Sequence, residues 1–189
     1  CDWYLEFSKP LLSESDLEVR SETQKTFAWS LDQCLIMLHP IMPFITEEIW
    51  SKTGRREKFI AHESWPEFSL EDLWDQEVHN EISWVIALVE EIRSVKVEMN
   101  VPAGMKINLQ ILQMDSNELR FFEENEIVIK KMARINEIEF DKQMRDGSIS
   151  ISLPGAEFCF PLAKLIDIAS EKIRLEKIVT KLREEYGRL

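Results

Sequence analysis

The sequence predicts a mainly α-helical protein with a small α+β subdomain. Apolar residues recur at helical spacing before Gly104, alternate with polar residues after it, and repeat every seven positions after Asp167. These changes of period predict three domains: a helical bundle over 1–104, a small α+β domain over 105–165, and the start of a C-terminal coiled-coil arm over 166–189.

The composition is that of a globular protein. The 189 residues are 44% hydrophobic and 31% charged, which excludes a disordered or collagen-like chain. No apolar run approaches the ~20 residues that cross a bilayer, so we expect no membrane partner. Three widely spaced cysteines fit neither a disulfide framework nor a zinc site and favour a cytoplasmic protein without a bound metal.

The net charge of -12 argues against a protein that coats nucleic acid non-specifically. Basic residues outnumber acidic ones only in residues 164–189. Any contact with nucleic acid must therefore use local basic patches, because lysine and arginine contacts to phosphate supply most of the affinity.

Two helices are predicted in the first third of the chain. Ser13 offers an N-cap hydroxyl with a carboxylate three residues later, and the helix that follows should end near His39 and Pro40. Its apolar positions are Val19, Phe27, Leu31, Cys34, Leu35 and Leu38. Pro43 suits the first turn of a second helix, which should end before Gly54. We expect four of its side chains to face inward: Phe44, Ile45, Ile49 and Trp50.

A long helix is predicted from Asp75 to the sequence VPAG at 101–104. One apolar stripe runs along it, which is typical of a helix packed on a core. Its members are Val78, Ile82, Val85, Leu88, Val89, Ile92, Val95 and Met99.

The α+β domain is predicted from alternating and helical segments in sequence. Residues 106–112 alternate as a strand, and 115–134 fit one helix that buries Leu119, Phe122, Ile127 and Met132. Residues 135–140, 148–153 and 156–161 are extended, with Pro154 and Gly155 turning the last two into a hairpin. The order is therefore β-α-β-β-β.

A heptad seam predicts the coiled-coil arm. The seam residues are Ile168, Leu175, Leu182 and Leu189, with Ile178 between them.

Standard catalytic motifs are missing from the sequence. It has no glycine-rich phosphate loop, no Gly-x-Ser-x-Gly, no His-Glu-x-x-His and no Cys-x-x-Cys. The three histidines, His39, His62 and His79, are far apart in sequence and fit surface or capping roles. We therefore expect no catalytic residues.

Four segments carry a family resemblance. Residues 1–6 (CDWYLE) and 39–50 (HPIMPFITEEIW) resemble the anticodon-binding helical domain of the class I synthetases for valine, isoleucine and leucine. Residues 92–102 (IRSVKVEMNVP) look like the end of the long helix in valyl-tRNA synthetases. Residues 155–163 (GAEFCFPLA), followed by the heptads, resemble the bacterial valyl-tRNA synthetase family. The resemblance covers essentially the whole chain.

The resemblance implies an anticodon-binding bundle, truncated at its N-terminus, running into the coiled-coil arm of a bacterial valine enzyme. It implies a cytoplasmic, monomeric parent protein that uses ATP and Mg²⁺ to attach valine to its tRNA. The His-x-Gly-His and Lys-Met-Ser-Lys-Ser signatures of that chemistry are absent here, so the chain itself should need no cofactor and bind or position only the tRNA.

The candidate tRNA-binding residues form three sets. Arg55 and Arg56 belong to the first set, while Arg93 and Lys96 share one face of the long helix, with Asn100 just beyond. The arm supplies Lys172, Lys177 and Lys181. We expect the Lys96 head group to reach solvent. Arg93 could pair with a phosphate or with a carboxylate such as Glu90 or Asp2.

The sequence leaves two other functional interpretations open. The chain could be the anticodon-binding region of an isoleucine or leucine enzyme. It could also be an interaction module whose coiled coil pairs with a partner helix.

Overall fold

The structure is a computed structural model that describes residues 2–145, 147–161, 176–180 and 183. The chain divides into two units, Cys1–Gln76 and Glu77–Leu189. The division falls at the start of the long helix, whereas the predicted boundary lies at its end, near Gly104. The reason is that the apolar stripe of this helix packs in the second unit, as described below.

Helices make up the described part of the first unit. They are α1 (Asp2–Leu12), α2 (Leu17–Leu38), α3 (Pro43–Lys52), a 3₁₀ turn (Ile60–His62) and α4 (Leu70–Leu73). Leu35 of α2, Trp50 of α3 and Ile60 of the turn form the buried centre of this unit. Three positions distant in sequence thus meet in one apolar cluster.

The ends of α2 and α3 follow from local chemistry. Asp16 caps α2, because its carboxylate accepts a hydrogen bond from the Glu18 backbone N–H at 2.9 Å. The predicted cap, Ser13, is wrong: its hydroxyl instead donates to the Lys9 carbonyl of α1. Pro43 occupies the predicted first turn of α3, where its missing N–H costs nothing.

Only part of the apolar surface of α3 is buried. Trp50 is buried and Ile49 partly so, as predicted. Phe44 is 90% exposed and Ile45 is also exposed, so their predicted inward orientation is wrong. The contacts of α3 with α2 and the 3₁₀ turn are made by the face that carries Thr46 and Trp50, and Phe44 lies outside that face.

The second unit begins with the long helix α5, Gln76–Glu98. The predicted stripe is buried from Val85 to Val95, but Val78 near its start is exposed, contrary to the prediction. Trp84 lies beside the stripe and contacts Phe121 and Phe158, with ring centroids 6.3 Å apart in each pair. Aromatic packing of this kind fixes the helix in the core of the second unit.

Two helices, not the single predicted one, follow the first strand. These are α6 (Ser116–Glu124) and α7 (Glu126–Ala133). The break lies at Asn125, whose side-chain amide donates to the Phe121 carbonyl and to Glu81 of α5. Phe122 and Met132 are buried as predicted, and Leu119 is partly buried. Ile127 is 45% exposed, because the turn at Asn125 resets the helical phase.

The four predicted strands form one mixed sheet. They are β1 (Ile107–Met114), β2 (Ile135–Phe140), β3 (Ser148–Leu153) and β4 (Ala156–Pro161). The order is β2-β1-β4-β3, with β1 parallel to β2 and antiparallel to β4. The two-residue turn between β3 and β4 contains Gly155 at φ +74°, a conformation that suits glycine. The predicted β-α-β-β-β order is therefore confirmed, with the helical segment split in two.

The predicted heptad seam falls on Ile168, Leu175, Leu182 and Leu189, which lie outside the described residues. Residues 176–180 are helical and exposed. Within the described part of the chain, every helix is too short or too polar to cross a membrane.

Candidate nucleic-acid interface

Lys96 is buried, contrary to the expectation that its head group reaches solvent. The residue is only 5% exposed, and its Nζ donates a hydrogen bond of 2.7 Å to the Met105 carbonyl. Burial lowers the pKa of Lys96 from its ordinary value of 10.5, and the charges of Arg134 and Arg93 lower it further. The ammonium group therefore holds the chain between α5 and β1 in place.

Arg93 is exposed, but its guanidinium is engaged within the protein. Nε and Nη2 donate to the Met132 carbonyl at 3.3 and 3.0 Å. This carbonyl belongs to the last turn of α7, where backbone oxygens lack helical partners. Arg93 thus links the end of α5 to the end of α7 while part of its side chain faces solvent.

Asn100 ends α5 in a left-handed conformation, at φ 54°. The Val101 N–H bonds to the Lys96 carbonyl at 2.8 Å, and the Asn100 N–H bonds to the Val97 carbonyl at 3.0 Å. These two bonds are the pattern of a Schellman cap, in which the residue after the C-cap must accept positive φ. Asparagine tolerates that conformation better than other side-chain-bearing residues. The backbone role of Asn100 leaves its exposed side chain available to solvent.

Arg134 joins Arg93 and Lys96 around one cavity of about 320 Å³. It caps the C-terminus of α7, also in the left-handed conformation, with φ 54° and ψ 56°. Sequence reasoning missed this residue, because it lies 38 positions beyond Lys96. The sequence feature that could have indicated it is the cluster of basic residues at the end of the predicted helix: Lys130, Lys131 and Arg134.

Arg56 is held by protein contacts in the first unit. Its guanidinium forms a bidentate ion pair with the Asp32 carboxylate, with N–O distances of 2.8 and 2.6 Å. The Arg56 Cζ atom lies 3.8 Å from the centre of the Trp50 ring. Its Nε also donates to the Trp50 carbonyl at 3.2 Å. Such a fork on a carboxylate is among the stronger charge-assisted contacts in proteins, and it ties the loop after α3 to α2.

Arg55, next to it, is exposed, as is Lys58. Phe59 follows at 66% exposure, and its ring packs against the edge of His62. Trp65, further along the same loop, is exposed too. This segment, residues 55–65, therefore combines exposed basic side chains with exposed aromatic rings. Proteins that bind single-stranded nucleic acid use the same combination.

The third predicted set belongs to residues 166–189. Lys177 is exposed on the helical segment 176–180, whereas Lys172 and Lys181 lie outside the described residues. The first two sets therefore lie in different units: Arg93 and Lys96 line one cavity in the second unit, and Arg55 and Arg56 are in a loop of the first.

Comparisons with known proteins identify the family of the chain. A model of the family described as the anticodon-binding domain of tRNA ligase matches residues 1–112. Over its whole length the chain is 46% identical to a valine–tRNA ligase of Ruegeria pomeroyi, 43% to one of Cereibacter sphaeroides and 40% to one of Brucella suis. The chain spans only 18%, 19% and 21% of these relatives, respectively.

Proposed function

The chain belongs to the family of anticodon-binding domains of tRNA ligases, and we propose that it is the tRNA-recognition part of a valine–tRNA ligase. The observation that carries this proposal is the match of the whole chain to relatives named valine–tRNA ligase. In this role the chain binds or positions the anticodon stem and body of valine tRNA. The same relatives are the reason to prefer valine over isoleucine or leucine.

The surface of the first unit supplies a physical means of recognition. Unstacked anticodon bases bind by stacking on exposed rings, and each such contact is worth about 1–3 kcal/mol. Phe59 and Trp65 offer such rings, and Arg55 and Lys58 beside Phe59 offer charges for the neighbouring phosphates. The acidic balance of the whole chain is then an advantage, because it restricts RNA to local basic patches such as this one.

In this proposal the chain is not catalytic. Aminoacylation, with its ATP and Mg²⁺, belongs to other parts of the longer enzyme, which we propose is a cytoplasmic monomer. The described residues contain no group of three or more His, Cys, Asp or Glu side chains placed to hold a metal ion, so no step of that chemistry is assigned to them. We also propose that residues 166–189 begin a coiled-coil arm that contacts the tRNA body, as their heptads favour.

Filter binding of the 189-residue chain and of the full-length enzyme to valine tRNA and to one non-cognate tRNA tests the proposal. We expect tighter binding of valine tRNA, with affinity that falls steeply as salt rises. A coiled-coil interaction module would instead show no preference between the two tRNAs, and its binding to a partner helix would depend little on salt. Equal affinity of the full-length enzyme for both tRNAs would contradict the proposal.

A matched pair of variants localises the stacking surface. Phe59→Leu removes an exposed ring beside Arg55 and Lys58, while Phe140→Leu removes an exposed ring from β2 of the second unit. We expect the first variant to weaken binding of valine tRNA by about tenfold, corresponding to the lower part of the stacking range. The second should bind as the unaltered chain does. Equal effects of both changes would remove residues 55–65 from the interface.

A further inference from the structure

Three positively charged side chains surround one cavity of the second unit. Arg93 and Lys96 come from the last turns of α5, and Arg134 comes from the end of α7. Val97, Val101 and Met132 form apolar walls between them. At about 320 Å³ the cavity lies at the lower end of the about 300–1,000 Å³ range of small-ligand pockets.

The positive charge exceeds what the backbone at this place can neutralise. Two helix C-termini, those of α5 and α7, contribute about half a negative charge each. Three cations carry more charge than these two helix ends offset, and the charges of Arg134 and Arg93 both lower the pKa of Lys96, as mutual repulsion requires.

Arg134, which lines this cavity, has a guanidinium group available to donate hydrogen bonds. Its backbone is committed, because its N–H caps α7 and its carbonyl accepts from the Ile107 N–H at 3.0 Å. Its guanidinium, by contrast, is exposed and has no hydrogen-bond partner among the described residues. A guanidinium fork matches the oxygens of a phosphate group, to which it donates two parallel hydrogen bonds.

We propose that this cavity seats one backbone phosphate of a bound tRNA, with the Arg134 guanidinium as donor and the Arg93 and Lys96 charges as its electrostatic support. The inference rests on the proposed function, since the phosphate belongs to the tRNA. A phosphodiester is favoured because it carries one negative charge and exposes two oxygens, so it relieves the mutual repulsion of the three cations.

Arg134→Asn tests the proposal, because asparagine removes the charge and still tolerates the left-handed conformation. Arg145→Asn is the matched control: it removes an arginine of the same unit, one that pairs with Glu139 outside the cavity. Valine-tRNA affinity is measured from low to high salt for both variants. We expect Arg134→Asn to reduce the slope of log affinity against log salt by about one, as loss of one phosphate contact requires. Arg145→Asn should leave it unchanged.

The charge-preserving variant Arg134→Lys distinguishes a phosphate contact from a structural effect and should retain the slope. An unchanged slope in Arg134→Asn, or an equal loss in Arg145→Asn, would overturn the cavity proposal while leaving the proposed function intact. A selective loss of slope with equal affinity for valine and non-cognate tRNA would support the phosphate seat and contradict only the valine assignment. Complete absence of tRNA binding by the unaltered full-length enzyme would contradict both.

Discussion

Lys96 and Arg56 show how single cations acquire their roles. The sequence makes both of them candidates for tRNA contact, and both are bonded within the protein: Lys96 to the Met105 carbonyl and Arg56 to Asp32. The neighbouring residue Arg55 is exposed. At this scale the partner of each charge decides what its removal does, because removing one member of a buried or paired set leaves the other without its partner and destabilises the fold.

Replacing Lys96 with alanine should destabilise the fold. The change leaves the Met105 carbonyl without its donor and opens space beside α5, at a cost of about 1–3 kcal/mol. Lys96→Met keeps most of the stem volume and should be closer to the unaltered chain. Urea denaturation of both variants measures this. An alanine variant within ~0.5 kcal/mol of the unaltered chain would show that Lys96 behaves as a surface residue.

The lowered pKa of Lys96 predicts a pH dependence of stability. Between its folded pKa and the ordinary value of 10.5, the unfolded chain binds a proton that the folded chain has released. Stability therefore rises with pH through this interval, since the cost of a buried charged ammonium disappears. The unfolding free energy of the unaltered chain, measured relative to Lys96→Met, should increase from neutral pH towards 10.5. A difference in unfolding free energy that stays flat or falls with pH would contradict a lowered pKa of Lys96 in the folded chain.

Arg56 and Arg55 form a matched pair for separating stability from binding. Arg56→Ala removes a two-pronged ion pair and a contact with Trp50, so it should lower the unfolding free energy by about 1–3 kcal/mol. Arg55→Ala should change it by less than ~0.5 kcal/mol and weaken tRNA binding instead. Thermal denaturation and filter binding give the two readouts. If Arg55→Ala lowered stability and left tRNA binding unchanged, Arg55 would be excluded from the RNA surface.

At the scale of elements, the positions where helices end determine which cations lie together. The strands and the long helix α5 follow from hydrophobic period, but where helices stop depends on single residues such as Asn100, Asn125 and Arg134. The ends of α5 and α7 then place Arg93, Lys96 and Arg134 around one cavity. Helix termination thus builds the cationic site.

The Schellman cap of α5 can be tested at Asn100. Asn100→Gly should leave stability nearly unchanged, because glycine adopts positive φ without a steric penalty. Asn100→Val should cost about 1–2 kcal/mol, since the left-handed conformation brings its side chain against the backbone. Chemical denaturation of the two variants compares them. Equal stability of the valine and glycine variants would mean that Asn100 does not hold this conformation in solution.

The chain divides into a helical unit and an α+β unit. The first has its buried centre at Leu35, Trp50 and Ile60, and the second around α5 and the sheet. In the proposed function, the first unit supplies aromatic rings for bases and the second a seat for a phosphate. Specificity and positioning would thus be assigned to different parts of one chain.

At this scale the proposed function predicts an absence of catalysis. The purified chain should show no ATP–pyrophosphate exchange in the presence of valine, because neither nucleotide-binding signature of class I enzymes is in its sequence. The full-length enzyme assayed alongside should exchange. Activity of the chain above the background of a mock purification would contradict its assignment as a recognition module.

The sequence by itself determined the secondary-structure order and the family. Hydrophobic period needs only neighbours along the chain, so α5, the four strands and the hairpin at Gly155 could be read from it. The family motifs likewise stand in contiguous segments. Tertiary structure alone decided which cations are engaged. Lys96 donates to the Met105 carbonyl across the loop that follows α5, and it shares a cavity with Arg134 because α5 and α7 end side by side. Phe44 is exposed because α3 packs through its other face. Burial depends on residues distant in sequence, and no local pattern records them.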